Sequence, residues 1–418
     1  MKVIPRRLVA FEKGELAASW RVLRGEEEAG LVAEFEQRFT EYVSVPYAMA
    51  VSSVRDGFSC LLDVLEFAPG DEIIMAAYNY HVMPLIVKKR GLVPVFADID
   101  PDTLNIDPGQ IERLITDKTR AVIVTHLFGR SARATEIQKI CRERGLILLE
   151  DAAHACGAEC DGRKVGGFGD FGMFSFGTGK CLVTLGGGVI VSRNTEVFTR
   201  LRERLDNQDH PGERWHSTSY YLKCLLQIAL TNRTLFAVLV YPWILLADLI
   251  RLDIIERLTG DKYTSADVSA KSQVQPFAEF QALLGLQQLK RLDAMNDKRI
   301  ARAQLLDRYL EDVKEIKRIP VVGNREHIAQ SYTVICDDKN ALRRHLLRKG
   351  IDTKESSMRN CAQFLGAEGP FPAMAGIDDR IVELPCSQHL SENEMLYQAN
   401  AVRDFFGYPM TSGPGGGR

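Results

Sequence analysis

What this sequence lacks narrows the field before any motif is read. It has no paired Cys-x-x-Cys units of the kind that hold zinc. Its nine cysteines are dispersed, the closest two being Cys156 and Cys160, and such an odd, scattered set suits reduced, buried thiols in a cytoplasmic protein. It has no excess of either charge sign: the formal net charge is −2, so whole-chain electrostatics offers no reason to expect a nucleic-acid partner. The opening stretch, MKVIPRRLVAFEKGELAASW, lacks the continuous apolar core of a signal peptide. Even in the most apolar region, Tyr220 to Leu252, the longest charge-free piece is Thr234 to Ala247, fourteen residues, short of the ~20 needed for a straight membrane span. What is present is ordinary for a globular protein: 418 residues, 45% hydrophobic and 26% charged, enough for one large core and a smaller one.

One stretch organises the rest. From Leu146 to Val191 an apolar strand ends in Glu150-Asp151, small residues follow, and aromatic and Gly-rich turns lead to Ser175-Phe176-Gly177-Thr178-Gly179-Lys180 and Gly186 to Gly188. An acid at the C-terminal end of a strand sits where open parallel sheets bind ligands. A lysine among glycines and apolar neighbours is a candidate for a depressed pKa and Schiff-base chemistry. Pyridoxal phosphate needs both, an amine for its aldehyde and an acid to keep its ring nitrogen protonated. Lys180 and Asp151 are the candidates for those roles. Taken alone, a strand-end Asp is more often a cap and a lone Lys in a glycine-rich loop is usually solvated; the order of the whole run is more specific.

The run Glu150-Asp151-Ala152-Ala153-His154, Gly166-Gly167-Phe168-Gly169-Asp170, Ser175 to Lys180 and Gly187-Gly188 resembles the DegT-type (StrS-like) nucleotide-sugar aminotransferases, a branch of the fold-type I pyridoxal phosphate enzymes. The resemblance extends from about Leu31 to Phe406, interrupted by the apolar stretch. It implies an α/β fold-type I architecture, with a mainly parallel central sheet covered by helices and a smaller C-terminal α/β domain. The expected division is an arm at 1–30, a large cofactor domain at 31–290 with an apolar helical insert at about 220–252, a small domain at 291–408, and a disordered tail at 409–418.

Along the chain, Val32, Phe35, Phe39 and Tyr42 have helical spacing. Tyr47 to Ser52 reads as a strand, then a turn at Ser53-Val54-Arg55 and a helix through Leu65. Amides and the positive end of that helix would grip a phosphate. Relatives carry Ser-Gly-Thr in this turn; here Ser53 remains, the glycine is lost, and Arg55 arrives as a bidentate phosphate ligand or a surface partner of Asp56 or Glu66. In the loop Tyr78 to His81, Tyr80 is the residue expected over the cofactor ring, with Tyr78 in reserve, and His81 reads as solvated. Strands at 93–97 and 121–126 alternate with helices at 108–116 and 135–145, which implies right-handed crossovers. Asp98 and Asp100 read as turn formers, and no metal is assigned. His126 has a structural role or a place beside the cofactor. Ala278 to Leu289 matches a helix that in relatives follows an Asn reaching the neighbouring subunit's phosphate. That Asn is absent here, with Gln273 as a substitute. A long helix from Arg291 is expected to carry Leu305 through Ile316 on one face.

The resemblance implies an aminotransferase moving an amino group from an amino-acid donor, glutamate, to a keto sugar on a nucleotide or lipid carrier, for polysaccharide or glycoconjugate synthesis. Lys180 would hold the cofactor aldehyde and carry the proton, Asp151 pair with the ring nitrogen, and His154 bond the ring's phenolic oxygen. Ser175, with Ser53 and Arg55, would bind the phosphate, and Ala153 would let the ring lie flat. Relatives that remove a sugar hydroxyl replace the lysine with histidine, so Lys180 favours transamination. The competing reading is a catalytically altered, membrane-associated or partner-binding descendant. A homodimer is expected, in the cytoplasm. The stretch 220–252 leaves three readings open: helices buried between subunits, a peripheral membrane contact at the inner face, or a lid over an apolar substrate tail, with Pro242 expected to kink any helix there.

Overall fold

The computed structural model describes residues 2–26, 30–207, 213–249, 276–321, 323–354, 356–367 and 369–412, with the side chains of 213–217 and 249 left aside. Its strands in chain order are β1 (Tyr47–Val51), β2 (Glu72–Ala76), β3 (Tyr78–Tyr80), β4 (Val93–Ala97), β5 (Thr119–Thr125), β6 (Ile147–Asp151), β7 (Glu159–Cys160), β8 (Arg163–Lys164), β9 (Phe171–Ser175), β10 (Gly188–Ser192), β11 (Lys317–Arg318), β12 (Tyr332–Ile335), β13 (Met358–Asn360) and β14 (Ile381–Leu384). The helices are α1 (Glu15–Leu23), α2 (Leu31–Val43), α3 (Val54–Leu65), α4 (Val82–Lys89), α5 (Pro108–Leu114), α6 (Ala134–Arg144), α7 (Thr195–Asp206), α8 (Glu213–Thr231), α9 (Arg233–Leu235), α10 (Tyr241–Leu249), α11 (Glu279–Leu289), α12 (Leu292–Tyr309), α13 (Lys339–Arg348), α14 (Cys361–Phe364) and α15 (Glu392–Phe405).

Seven strands form the central sheet in the order β1-β10-β9-β6-β5-β2-β4. Every pairing from β9 to β4 is parallel, and β10 alone runs antiparallel to both neighbours. The expected mainly parallel α/β architecture is what the chain adopts. Ile74, Val122, Leu149 and Met173 from adjacent strands are wholly buried or nearly so, as the continuous apolar strands of a sheet covered on both faces require. In α2 the spacing of Phe35, Phe39 and Val43 puts all three into the core. Gly172 in β9 lies so close to Gly166 that a Cβ there would meet the Gly166 carbonyl oxygen at 2.1 Å, which accounts for a glycine inside a strand. All nine cysteines are buried and unpaired.

A second, antiparallel sheet, β11-β12-β14, carries α13 and α15 near the C-terminus. The arm returns to this unit: Ile4 exchanges backbone hydrogen bonds with Gly350 and Asp352, at 2.8 and 2.9 Å. Arg6 clasps the Asp352 carboxylate at 2.8 and 2.6 Å.

Four local expectations need correction. Tyr78 to Tyr80 is no loop but a strand paired with β13, a partner 278 residues away that no local pattern can announce. His81 is not solvated; it is buried at the start of α4 and sits edge-on to Tyr80 and Phe364. The long helix from 291 ends at Tyr309, and Val313 and Ile316 are buried beyond its end. In the insert the chain bends by 68° at Asn232 rather than at Pro242. The Asn232 side chain caps the next turn, while a π-helical turn, Phe236–Val240, leads into α10 and absorbs the hydrogen bond that Pro242 cannot donate. Gln273 and the tail from 413 onward lie outside the described residues.

Candidate active site

Beyond the C-terminal ends of the central strands lies a cavity of about 650 Å³. Ser53, Arg55, Tyr80, Asp151, His154, Ser175 and Lys180 all line it, so the residues expected to hold the cofactor arrive at one place. Ala153 joins them. Tyr78 does not; it is fully buried, its hydroxyl 3.1 Å from that of Ser356.

The two acids at the end of β6 have opposite fates, because alternate strand residues face opposite sides of the sheet. Glu150 points away from the cavity and is wholly buried. Its carboxylate accepts from the backbone N–H of Phe168 and Gly169 at 2.6 Å and of Gly166 at 2.8 Å. Three amides of the run before β9 thus converge on one carboxylate, and its glycines are set by close packing: a Cβ at Gly166 would meet the Phe174 ring at 2.2 Å and one at Gly169 the Leu148 carbonyl oxygen at 2.6 Å. His126 completes the set, Nε2 at 3.0 Å from Glu150. The Ala132 N–H donates to its Nδ1, so the proton resides on Nε2, and His126 is structural.

Asp151 faces the cavity. Its Oδ1 accepts from the Ala153 N–H at 3.0 Å, and no described residue bonds Oδ2. Burial holds its pKa above the usual carboxylate value, against the Ala153 amide and the charge of Lys180. His154 is buried with Nδ1 unpartnered. Burial first, then the cations Lys180, Lys354 and Arg7, push its pKa well below the usual histidine value, so the ring is neutral at pH 7.

Lys180 follows β9 on the loop Gly177 to Gly179 and is half-buried. No described residue makes a hydrogen bond or ion pair with its Nζ. Desolvation, with Lys354 and Arg7 adding repulsion against the pull of Asp151, brings its pKa down to about 8. The loop beyond it is clamped by α11. Gln281 donates to the carbonyls of Thr184 and Gly186 at 3.3 and 3.2 Å, and Gln288 accepts from Val183 N–H at 3.0 Å. Seven residues apart, these two glutamines share a helix face, which is the physical content of the Gln spacing read in that helix.

At the other end of the cavity, Ser53 caps α3 by accepting from the Asp56 N–H at 3.4 Å, and the free amides of the first turn point outward. Glu66 pairs with Arg200 and not with Arg55; the Arg55 guanidinium reaches the Tyr80 hydroxyl at 3.4 Å, and its charge also acts on the Asp56 carboxylate. The Ser175 hydroxyl has no bond to a described residue. Helix end, arginine and hydroxyl together make an anion site.

Sequence reading missed several contributors. Arg7 runs along the Gly179 backbone, where a Cβ would stand 3.1 Å from its Nε. Lys354 is paired with the buried Glu383 at 3.2 Å. Gln330 donates to the Gly179 carbonyl at 2.7 Å. Arg7 and Lys354 reach the cavity beside the Ile4–Ile351 bridge, and Gln330 through its backbone N–H on the Phe128 carbonyl at 3.0 Å, so no local motif marks them. Tyr220, Lys223, Cys224 and Gln227 of α8 also line the cavity; the many apolar residues of that stretch concealed this polar stripe.

The arrangement fits pyridoxal phosphate on this structure's own terms. It offers a cavity-facing carboxylate oxygen, an unpartnered buried imidazole nitrogen, an amine of lowered pKa, and an anion site at a helix end, all in one cavity.

Comparison with known proteins agrees. Residues 15–222 and 255–403 match the model of the DegT/DnrJ/EryC1/StrS aminotransferase family. The chain is 28% identical over 397 residues to the dTDP-3-amino-3,4,6-trideoxy-alpha-D-glucose transaminase of Streptomyces venezuelae, covering 93% of this chain and 89% of that one. It is 33% identical over 192 residues to the GDP-perosamine synthase of Vibrio cholerae, 46% of this chain and 52% of that one. The solved aminotransferase TlmJ from Streptoalloteichus hindustanus has the same fold, with a TM-score of 0.77 at 24% identity over 97% of this chain and 99% of that one.

Proposed function

The chain belongs to the DegT/DnrJ/EryC1/StrS aminotransferase family, and on that premise we propose that its cavity binds pyridoxal phosphate and transfers an amino group from an amino-acid donor, glutamate, to a keto sugar borne on a nucleotide or lipid carrier. When bound, the cofactor supplies an aldehyde that takes up the donor's amino group and a protonated ring that draws electrons from the donor's α-carbon.

The chain's own residues do the rest. Lys180 would hold the aldehyde, and its amine, with a pKa near working pH, would take and return the proton of the donor's α-carbon. Asp151 keeps the ring nitrogen protonated by placing a fixed negative charge in a desolvated site. Neutral His154 offers a ring nitrogen to the phenolic oxygen. The first turn of α3, Arg55 and Ser175 bind the phosphate, and Tyr80 orients the ring. Arg7, Lys354 and Lys223 give the cavity a positive balance that favours a donor carboxylate and an acceptor phosphate. The active unit is a homodimer in this reading, as the resemblance implies.

The observation that carries the proposal is the meeting of Asp151, His154, Ser175 and Lys180 in one cavity. That same meeting speaks against a non-catalytic descendant, which would have no need to retain all four. Borohydride reduction of the cofactor-loaded protein, followed by peptide mapping, tests it. The label is expected on Lys180, and Lys180→Ala should lose the label together with roughly 10³-fold or more of the transamination rate, the scale of a lost acid–base and covalent group. A label on another lysine overturns the reading.

A further inference from the structure

The insert α8–α10 has two faces, and its outer face is the most apolar exposed surface among the described residues. Nine of the twelve large hydrophobic side chains that stand exposed fall between Tyr220 and Leu246. Leu222, Leu226 and Leu230 repeat every four residues along α8, so they line one stripe. Beyond the bend Val238, Leu239 and Trp243 stand out, 66%, 52% and 71% exposed. This is not a badly packed segment. The inner face is fastened at both ends: Tyr221 meets Phe280 edge-on, and the Tyr241 hydroxyl donates to the Leu347 carbonyl at 2.7 Å. Arg233 pairs with Glu394 and donates to the His389 carbonyl at 2.6 Å.

We propose that this outer face docks the enzyme on the surface of an anionic lipid bilayer, lying in the headgroup layer without crossing it. Three observations select that occupant. First, no single described helix is long and apolar enough to cross a membrane; the two helices reach that length and hydropathy only as a pair bent by 68°, and their inner faces are fastened to the protein, which leaves one apolar face to lie in the headgroup layer. Second, the charges that flank the face are mostly cationic. Between Thr218 and Ala247 the charged residues are Lys223 and Arg233, with no carboxylate. The first acid, Asp248, sits 3.7 Å from Arg344 on α13, and α13 adds exposed Arg344 and Arg348 beside α10. Headgroup phosphates complement such a rim, whereas a second copy would set like charges against each other. Third, residues 223–254 fall outside the family model, so this face is no part of what the family shares. Trp243 has the side chain that settles at a membrane interface. Because Lys223 and Gln227 on the neighbouring stripe of α8 line the cavity, docking brings the cavity mouth to the headgroup layer. The docking itself does not depend on the transaminase reading.

Flotation of the full chain with vesicles tests this, using phosphatidylcholine alone and phosphatidylcholine with one third phosphatidylglycerol. The protein should float with the anionic vesicles and bind neutral ones roughly tenfold less well, as expected when a few surface cations lose their partners. The triple variants Leu226→Glu/Val238→Glu/Trp243→Glu and Leu226→Gln/Val238→Gln/Trp243→Gln should lose flotation while still capturing cofactor at Lys180, which reports an intact fold independently of turnover. Failure of the parent to float with either vesicle overturns the proposal. Sedimentation then tells what covers the face instead. A dimer split by the Glu variant assigns it to a second copy, and an unchanged state assigns it to the chain's own 250–275 segment. Loss of cofactor capture with flotation intact would remove the transaminase reading and leave the docking standing.

Discussion

Two segments wall the same cavity and are held in place by different physics. Between Ile147 and Ser192 the chain is pinned by backbone: strands on both sides, three amides on Glu150, and carbonyls clamped by Gln281 and Gln330. Between Glu213 and Leu249 it is pinned by a few side chains, chiefly Tyr220, Tyr221, Arg233 and Tyr241, with one helix face left in the open. A reacting centre tolerates little displacement, so its supports are many and short-range. A wall added outside that centre needs only to stay attached. The first segment should therefore fail on single-atom changes, and the second should not.

The sharpest break of that comparison is made at β6. Glu150→Gln keeps the shape but gives one side-chain atom two hydrogens facing existing donors, so the buried set around it cannot be satisfied. Unfolding free energy should drop by about 3–5 kcal/mol, measured by chemical denaturation. Its neighbour should behave oppositely. Asp151→Asn retains the oxygen that accepts from Ala153, so stability should hold while turnover falls roughly 100-fold, corresponding to about 3 kcal/mol for a charged contact. Near-normal turnover in that variant removes Asp151 from the mechanism.

That pair also shows what was legible in the chain. Strand period distinguishes Glu150 from Asp151 only once the strand's two faces are known, and the spacing to Lys180 reveals the site because chemistry demands both groups. The helices α2, α3 and α11 were legible because their apolar and glutamine spacing is local. Arg7, Lys354 and Gln330 were not, since a bridge between Ile4 and Ile351, the pairing of β3 with β13, and the bridge between Arg130 and His327 bring them in. The insert announced its hydrophobicity but not its two faces. Pro242 drew attention that belonged to Asn232, because a π turn can accommodate a proline whereas a side-chain N-cap starts a new helix on a new axis.

A smaller effect is expected at the anion site, where support comes from one helix end and one side chain. Arg55→Ala should weaken cofactor binding by about 1.5–3 kcal/mol, the worth of a charged hydrogen bond, in a spectroscopic titration. Unchanged affinity would remove Arg55 from the anion site.

Smaller again is a shift in pH dependence. Capture of the aldehyde needs the neutral amine of Lys180, whose pKa lies at about 8. Capture by cofactor-free protein should therefore quicken about tenfold per pH unit below that value and level off above it. Burial is the main cause, but Lys354 adds repulsion that favours the neutral amine. Removing it raises the pKa and slows capture below pH 8. The double variant Lys354→Met/Glu383→Gln avoids stranding the buried Glu383, and it should be about threefold slower at pH 7, or about half a pH unit. A profile that does not move would assign the lowered pKa to burial and Arg7 without Lys354.

The smallest effect is expected on the outer face of the insert, and it completes the comparison. Leu226 is 60% exposed, so Leu226→Gln gives up little burial and should change unfolding free energy by no more than about 0.5 kcal/mol. Tyr241→Phe, on the inner face of the same insert, removes the donor to the Leu347 carbonyl and should cost about 1 kcal/mol, with the loss felt where α10 meets α13. Both variants should retain capture at Lys180, because neither touches the backbone that positions it. Hydrogen exchange can follow the insert and the core separately. Faster exchange in α10 for Tyr241→Phe, with β6 and β9 unchanged, is the expected pattern for a wall attached by side chains. If Leu226→Gln instead loosened β9 or the Gly177 to Gly179 loop, the insert would be bracing the reacting centre, and the distinction between the two segments would fail.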